Sequence, residues 1–303
     1  GRQVVQVLGG SLARVDLVLH AVQAGHQQRG EAQVRVGRRI REAGLDAAAA
    51  GNLSGTQAQS LTTGQIAALS ASALSALAST DVQAWTAAQL GAVTSAQIGA
   101  LSTAELADFT ETQLGSLTSS QLRGLTTTQL VALTTANVTG LATGAIAAMG
   151  SSQVNALGTD VDELGTGQIA ALGTASVKGI TNAAVTALSS SQVSALGSTA
   201  IALTTAQIDA LTTANINGLS TSTLAGLSSD QVSALGADAL MLDSGNLAAL
   251  TTLNIKGLAS DAIAALTSAQ VSALGSDSVA MMSGQLASLT SVNIAGLSSV
   301  ALA

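Results

Sequence analysis

The chain has 303 residues, of which 47% are hydrophobic and 9% are charged, and it contains one Trp, one Phe and no Tyr, Pro or Cys. This composition excludes disulfides, thiol catalysis and thiolate metal sites, and it lacks the low hydrophobicity and high charge of disordered chains. The formal net charge of −7 argues against nucleic-acid binding, and the lack of a long uninterrupted apolar run argues against membrane insertion.

Residues 1–53 form a head of different composition, which holds seven of the ten basic residues. A short strand is predicted at about 4–8, and two helices at about 11–24 and 35–50. Three interpretations stay open: a cap over the open end of a repeat array, a wrongly assigned start of the reading frame, and a basic patch that binds an anionic surface. The basic patch is suggested by Arg38, Arg39 and Arg41.

Residues 54–303 repeat one eight-residue unit, the octad. Residues 94–101 (TSAQIGAL) and 204–211 (TTAQIDAL) are typical. Position 1 holds Thr, Ser or Gly, position 2 holds Thr or Ser, and position 4 is commonly Gln or Asn. Position 5 is aliphatic, position 7 is Ala or Gly, and position 8 is Leu. Residues 54–297 contain 31 such units, and short-period repetition of this kind indicates an array of stacked units.

Every fifth unit of residues 126–281 has seven residues instead of eight, which creates a 39-residue block. These heptads end at positions 164, 203, 242 and 281, and each begins with Gly. The second unit of each block has Gly at position 7 and usually Asn at position 4. These glycines are Gly140, Gly179, Gly218, Gly257 and Gly296. We expect one block to form one turn of a superhelix, or a simple fraction of a turn.

The spacing Thr/Ser-x-x-Gln/Asn predicts a helix start in each unit. The hydroxyl at position 1 can accept from the amide three residues on, and the side chain at position 4 can reach back, as in a capping box. Thr212 with Asn215, and Ser189 with Gln192, fit this pattern. Positions 2–8 would then form about two helical turns, with positions 5 and 8 on one face. The Gly that opens each heptad suits a left-handed helix end.

The expected fold class is therefore all-α: a solenoid or superhelix of very short helices, one per eight-residue unit, with a 39-residue super-repeat. A β-solenoid is the alternative, because short-period repeats often build one. The spacing of three between apolar positions and the abundance of Ala argue against strands. One continuous helix is disfavoured, because its Leu stripe would wind around the rod and Gly, Ser and Thr recur every eight residues.

The search for chemistry predicts no catalytic, cofactor-binding or metal residues, and no enzyme activity. His20 and His26 are the only histidines and lie in the head, the chain has no Cys, and the densest acidic cluster is Asp160, Asp162 and Glu163. Asp238 and Asp277 occupy the position of Asp160 in later heptads. A calcium site needs six to eight oxygen ligands, so these acids are interpreted as favourable charges at helix starts. Trp85 and Phe109 stand at position 8 and are expected in the core.

The units 94–101 and 204–211 give the repeat a strong resemblance to the TTAQIxAL-type octapeptide arrays of large bacterial surface and secreted proteins described as adhesin-like. The resemblance covers about 250 of the 303 residues. It implies an extracellular or cell-surface location and a structural role as a stalk, spacer or filament element, with a possible part in adhesion. It transfers no catalytic residue.

Two further functions are weighed against this structural role. A binding module would present its Thr and Ser rows to a carbohydrate, a mineral or ice. A self-assembling element would associate with further copies or with other surface proteins through its sparsely charged sides. No cofactor, nucleic-acid partner or membrane insertion is expected.

Overall fold

The computed structural model describes residues 46–297, and every regular element within that range is a helix of three to six residues. Each of the 31 predicted units contains one helix, which confirms the all-α fold with one short helix per unit. No strand is present in the described part of the chain, so the β-solenoid alternative is wrong there. Among the same residues, no helix is long and apolar enough to cross a membrane.

The chain divides into two compact units, Gly1–Leu101 and Ser102–Ala303. The described part of the first unit begins with Ala47–Gly51, a helix within the segment assigned to the head. The other predicted elements of the head lie wholly or largely in residues 1–45, outside the described range. The helices that follow in the first unit are Gly55–Gln59, Thr63–Ala68, Ala71–Ser75, Ser79–Gln83, Ala87–Gly91 and Ser95–Ala100.

The second unit contains α-helices in most octads and 3-10 helices in two kinds of unit. The α-helices are Thr103–Ala107, Glu111–Gly115, Ser119–Gly124, Thr127–Val131, Thr135–Gly140, Thr143–Ile146, Ser151–Ala156, Thr166–Ala170, Asn182–Ala187, Ser190–Ala195, Thr205–Asp209, Thr221–Gly226, Ser229–Ala234, Ser244–Leu247, Ser260–Ala265, Ser268–Ala273 and Ser283–Ala287. The heptads contain the 3-10 helices Gly158–Val161, Gly197–Ala202, Gly236–Met241 and Gly275–Ala280. The second units of the blocks contain Val177–Gly179, Ile216–Gly218, Ile255–Gly257 and Ile294–Gly296.

The predicted capping box starts about half of the octads. In the unit 189–196, the Ser189 hydroxyl accepts from the Gln192 amide at 3.2 Å, and Gln192 Oε1 accepts from the Ser189 amide at 2.8 Å. In the unit 212–219, Asn215 Oδ1 accepts from the Thr212 amide at 2.8 Å, but the 3-10 helix begins only at Ile216. The box was therefore predicted correctly for Ser189 and only in part for Thr212.

Helices are shorter than the two turns predicted, because position 8 does not belong to the helix in most octads. Leu69 closes its unit with φ −62° and ψ 141°, and Ser70 continues extended at φ −67° and ψ 156°. Two consecutive extended residues turn the chain before the next helix starts. Positions 5 and 8 nevertheless share a buried face, as Ile66 and Leu69 show.

The helix of each unit packs against the helix of the unit three positions later in the chain. In the first unit, Gly55–Gln59 contacts Ser79–Gln83, and in the second unit, Ser190–Ala195 contacts Ile216–Gly218. One turn of the solenoid therefore contains three units. A 39-residue block of five units extends over one and two-thirds turns, so the expectation of one turn per block is wrong.

The heptads are the places where a helix ends in a left-handed residue, as predicted. Gly158, Gly197, Gly236 and Gly275 have φ between 52° and 60°, and they alone have positive φ among the described residues. Each follows a Leu in helical conformation, such as Leu196 at φ −59° and ψ −28°. The left-handed Gly redirects the chain within one residue, which replaces the extended pair used in the octads.

Candidate functional site

The side-chain amides at position 4 form the most regular polar feature of the described chain. Most of these amides have two functions. The side-chain oxygen accepts from the amide of the helix start in its own unit, and the side-chain nitrogen donates to backbone carbonyls of the fourth unit before it. Gln207 Nε2, for example, donates to Val177 O at 2.8 Å and to Ile180 O at 2.6 Å.

The same bridge recurs through both compact units. Asn215 and Asn254 make it with distances of 2.9–3.0 Å and 2.8–3.0 Å, and both side chains are fully buried. Further bridges are made by Gln89, Gln97, Gln153, Gln168, Gln192, Gln231, Gln270, Gln285 and Asn293. These bonds give carbonyls that lie buried between turns a side-chain donor from another turn.

The sequence reasoning found the cap and missed the bridge, although the residue choice at position 4 contains the signal. Gln or Asn occupies that position in 19 units, whereas Glu occupies it in one, at Glu105. A Glu caps a helix as well as Gln does, but an ionised carboxylate cannot donate. A preference for amides over carboxylates therefore indicates that the nitrogen is used.

The acidic residues of the heptads also connect neighbouring turns. Asp160 Oδ1 accepts from the Thr135 hydroxyl at 3.0 Å, and Asp277 Oδ1 accepts from the Thr252 amide at 3.0 Å. Asp160, Asp238 and Asp277 all lie in the first turn of their 3-10 helices, as the helix-start interpretation predicted. Asp162 is the C-cap of the helix Gly158–Val161 and Glu163 follows it, so the interpretation is wrong for these two. In the described range, no group of three His, Asp or Glu side chains is arranged to hold a metal ion.

An open groove of about 770 Å³ lies in the second compact unit, beside the start of the first heptad, residues 158–164. Its lining includes Asn155, Asp160 and Lys178 together with the hydroxyls of Ser151 and Ser152. The groove offers hydroxyl, amide, carboxylate and ammonium groups, which can form hydrogen bonds to a polar ligand. None of the described residues that line the groove is a histidine; His20 and His26 lie outside the described range.

Rows of hydroxyl groups are present, but those at position 1 form hydrogen bonds that cap the helices. Thr204 Oγ1, for example, accepts from the Gln207 amide at 3.2 Å. Some hydroxyls at position 2 bond to a neighbouring turn, as Ser119 does to Gly144 O at 2.7 Å. Others, including Thr63 and Thr205, are exposed to solvent.

The two aromatic residues predicted in the core are buried there. Trp85 also donates from Nε1 to Ala58 O at 3.1 Å, in the unit three positions earlier in the chain. Phe109 fills a Leu position in the second unit. Arg38, Arg39 and Arg41, the basis of the predicted basic patch, lie outside the described residues.

Comparison with known families identifies the repeat type. Two segments, 161–198 and 240–276, match the family model of the ALTTAQ repeat. Each match covers almost one 39-residue block, and the two matches start in nearly the same register. The chain therefore contains a region of ALTTAQ repeats. No curated protein and no solved structure matches the chain.

Proposed function

We propose that this chain is a structural spacer or filament segment of a large bacterial surface or secreted protein, with a role in adhesion and no catalytic activity. The observation that supports the proposal is the uniformity of the array. All 31 units contain one helix each, and the same bonds and the same buried positions recur from unit to unit. A site normally interrupts such regularity, because binding and catalysis need residues that differ from their neighbours.

The proposal is tested first by small-angle X-ray scattering on the full chain. A compact domain of 303 residues would have a radius of gyration of about 19 Å. A spacer built from stacked turns should give a clearly larger value and a rod-like cross-section. A radius of gyration near the compact value would contradict the spacer function.

The extracellular location needs its own experiment. Intact cells that make the parent protein should lose the epitope of residues 54–303 on brief treatment with an external protease, while a cytoplasmic marker stays intact. Retention of the epitope until the cells are lysed would contradict the location. Adhesion is tested by comparing the attachment of these cells with that of cells lacking the array.

A second candidate is a hydroxyl-presenting surface, which the exposed position-2 residues Thr63 and Thr205 favour. Such a surface would bind a carbohydrate, a mineral or ice. Glycan-array binding or thermal hysteresis by the full chain would support it. Changing exposed position-2 threonines to valine should then remove the effect without changing the helical circular dichroism.

A further inference from the structure

The groove in the second compact unit spans three levels of the stack. It is lined by residues of the helices Thr127–Val131, Ser151–Ala156 and Val177–Gly179, and by the start of the 3-10 helix Gly158–Val161. The first of these helices contacts the second, and the second contacts the third. With a volume of about 770 Å³, the groove falls within the size range of small-molecule sites.

The array departs from its own repeat at this groove. Ser151, Gly158 and Gly179 have the same residue type at the equivalent positions of every later block, so the frame of the groove recurs. Val131, Asn155 and Lys178 do not recur together. The equivalents of these three in the next block are Ala170, Ser194 and Asn217. One apolar, one amide and one ammonium side chain are therefore combined in a single block, and such departures are what a binding site requires.

The polar groups of the groove are not consumed by each other. Lys178 is exposed and forms no ion pair among the residues that the structure describes. Asp160 Oδ1 accepts from the Thr135 hydroxyl at 3.0 Å, which leaves Oδ2 for a ligand. Asn155 Nδ2 donates to Gly179 O at 3.4 Å, which leaves Oδ1 for a ligand.

These groups select a ligand that carries one negative charge among hydroxyl groups. The Lys178 ammonium can pair with a carboxylate, whereas Asp160 and Asn155 Oδ1 accept hydrogen bonds from hydroxyls. Asp160 would repel a phosphate group, which carries nearly two negative charges at neutral pH. Val131, which is 70% exposed, offers an apolar surface for the C–H groups of a sugar ring.

We propose that this groove binds an acidic oligosaccharide, with the carboxylate of a hexuronic acid residue on Lys178. Ring hydroxyls of the sugar donate to Asp160 and Asn155, and the sugar ring packs on Val131. The site uses one place in the array and not the rows of exposed hydroxyls. It does not depend on the spacer function.

Lys256 provides a matched contrast, since it is the equivalent of Lys178 two blocks later. The positions of Val131 and Ser152 are occupied there by Asp209 and Asp230, and Asp238 takes the place of Asp160. Lys256 therefore has three carboxylates at the equivalent positions, where Lys178 has one. An anionic sugar would be repelled there, so we expect one site per chain.

The experiment is isothermal titration calorimetry of the full chain with short oligomers of galacturonate, glucuronate, mannuronate and guluronate. At least one of these oligomers should bind with a stoichiometry of one, and more weakly as the salt concentration rises. The same oligomer with its carboxylates reduced to alcohols should bind clearly more weakly. Circular dichroism of each variant described below should match that of the parent chain.

Single substitutions assign the site. Lys178→Asn should weaken binding by about three- to tenfold and remove most of the salt dependence. Asn155→Ser should weaken binding by about two- to fivefold. Both variants introduce the residue that the next block holds at that position, Asn217 or Ser194, so the fold should be retained. Lys256→Asn is the control for lost charge and should bind like the parent chain.

A gain of binding provides the converse test. The triple variant Asp209→Val, Asp230→Ser and Ser233→Asn gives Lys256 the neighbours that Lys178 has. Its stoichiometry should rise from one to two, and a value that stays at one would contradict the residues assigned to the site.

Three results would overturn the inference. The first is a parent chain that binds none of the four oligomers. The second is equal binding of the native and the carboxyl-reduced oligomer. The third is a Lys178→Asn variant that binds as tightly as the parent chain, which would place the sugar elsewhere. None of these results changes the expected radius of gyration, so the spacer function would stand or fall separately.

Discussion

One side-chain amide at position 4 connects three backbone segments. In the unit 204–211, Gln207 accepts from the amide of Thr204 and donates to the carbonyls of Val177 and Ile180. The side chain is almost fully buried. Because a buried polar group without a partner costs far more than a bond contributes on average, these amides specify the register between turns as well as the start of each helix.

Replacing Gln207 by Glu should separate the two functions. Glu can still cap, but it cannot donate, and its charge would face two carbonyls in a buried place. We expect the free energy of unfolding to fall by about 2–4 kcal/mol, measured by urea denaturation followed by circular dichroism. Gln59→Glu is the control for the added charge and should be nearly neutral, since the Gln59 side chain is exposed to solvent. Equal losses in both variants would contradict the bridge.

The glycine at position 7 of the second units is required by close packing between turns. A Cβ on Gly218 would lie 2.3 Å from Ser190 O, and one on Gly257 would lie 2.1 Å from Ser229 O. Sequence periodicity revealed these glycines, but it did not reveal what they face, because the partner lies in a different turn.

Alanine substitutions should therefore have opposite effects at two glycines. Gly218→Ala must push two turns apart, and we expect it to destabilise the chain by about 1–3 kcal/mol. Gly284 lies in the helix Ser283–Ala287, and a Cβ there would meet nothing within 4 Å. Gly284→Ala should therefore stabilise the chain by about 0.5–1 kcal/mol. Thermal and urea midpoints of the two variants measure the difference in sign, and a stabilising Gly218→Ala would be inconsistent with this packing.

At the scale of the element, capping and apolar spacing were enough to predict one helix per unit. The Ser189 box, the buried pair Ile66 and Leu69, and the left-handed glycines all follow from interactions between residues that are close in the sequence. The length of the helix did not follow, because Leu69 becomes extended in order to place its side chain in the core and turn the chain. The number of units per turn depends on the angle at these corners, which no local motif encodes.

The heptad start gives a prediction about backbone conformation. Gly236 has φ 53°, and no atom stands within 4 Å of the position where its Cβ would be. A Gly236→Ala substitution is therefore opposed by conformation alone, and we expect it to cost about 1–2 kcal/mol. Gly236→Asn should cost less, because Asn adopts the left-handed region more readily. Equal losses for Ala and Asn would argue that crowding, rather than φ, determines the effect.

At the scale of the molecule, the five-unit block and the three-unit turn together determine which units stack on each other. The first unit of a block stacks on the fourth, the second on the heptad, and the third on the first unit of the next block. The fourth unit stacks on the second unit of the next block, and the heptad on the third. This arrangement brings Ser190 of a fourth unit against Gly218 of a second unit. The 39-residue period can be read from the sequence. The pairs of units that stack on each other cannot, because they depend on the number of units per turn.

Deleting a whole block should be tolerated better than deleting one unit. Removal of residues 204–242 keeps every stacking pair of the correct type. Removal of residues 204–211 is a smaller change, yet it shifts three pairs and places Gly218 opposite a third unit instead of a fourth. We expect the larger deletion to retain a cooperative unfolding transition close to that of the parent chain, and the smaller one to unfold at a clearly lower urea concentration. The reverse order would contradict the stacking scheme.

The left-handed glycines show a further consequence of these two periods. The five units of a block and the three units of a turn have no common factor. Successive heptads therefore lie on different sides of the stack, and each of the three sides receives one heptad before any side receives a second. A gene that gains or loses blocks by unequal recombination therefore encodes a chain of different length with every turn still correctly paired. Length can change in steps of 39 codons without any new fold having to be found.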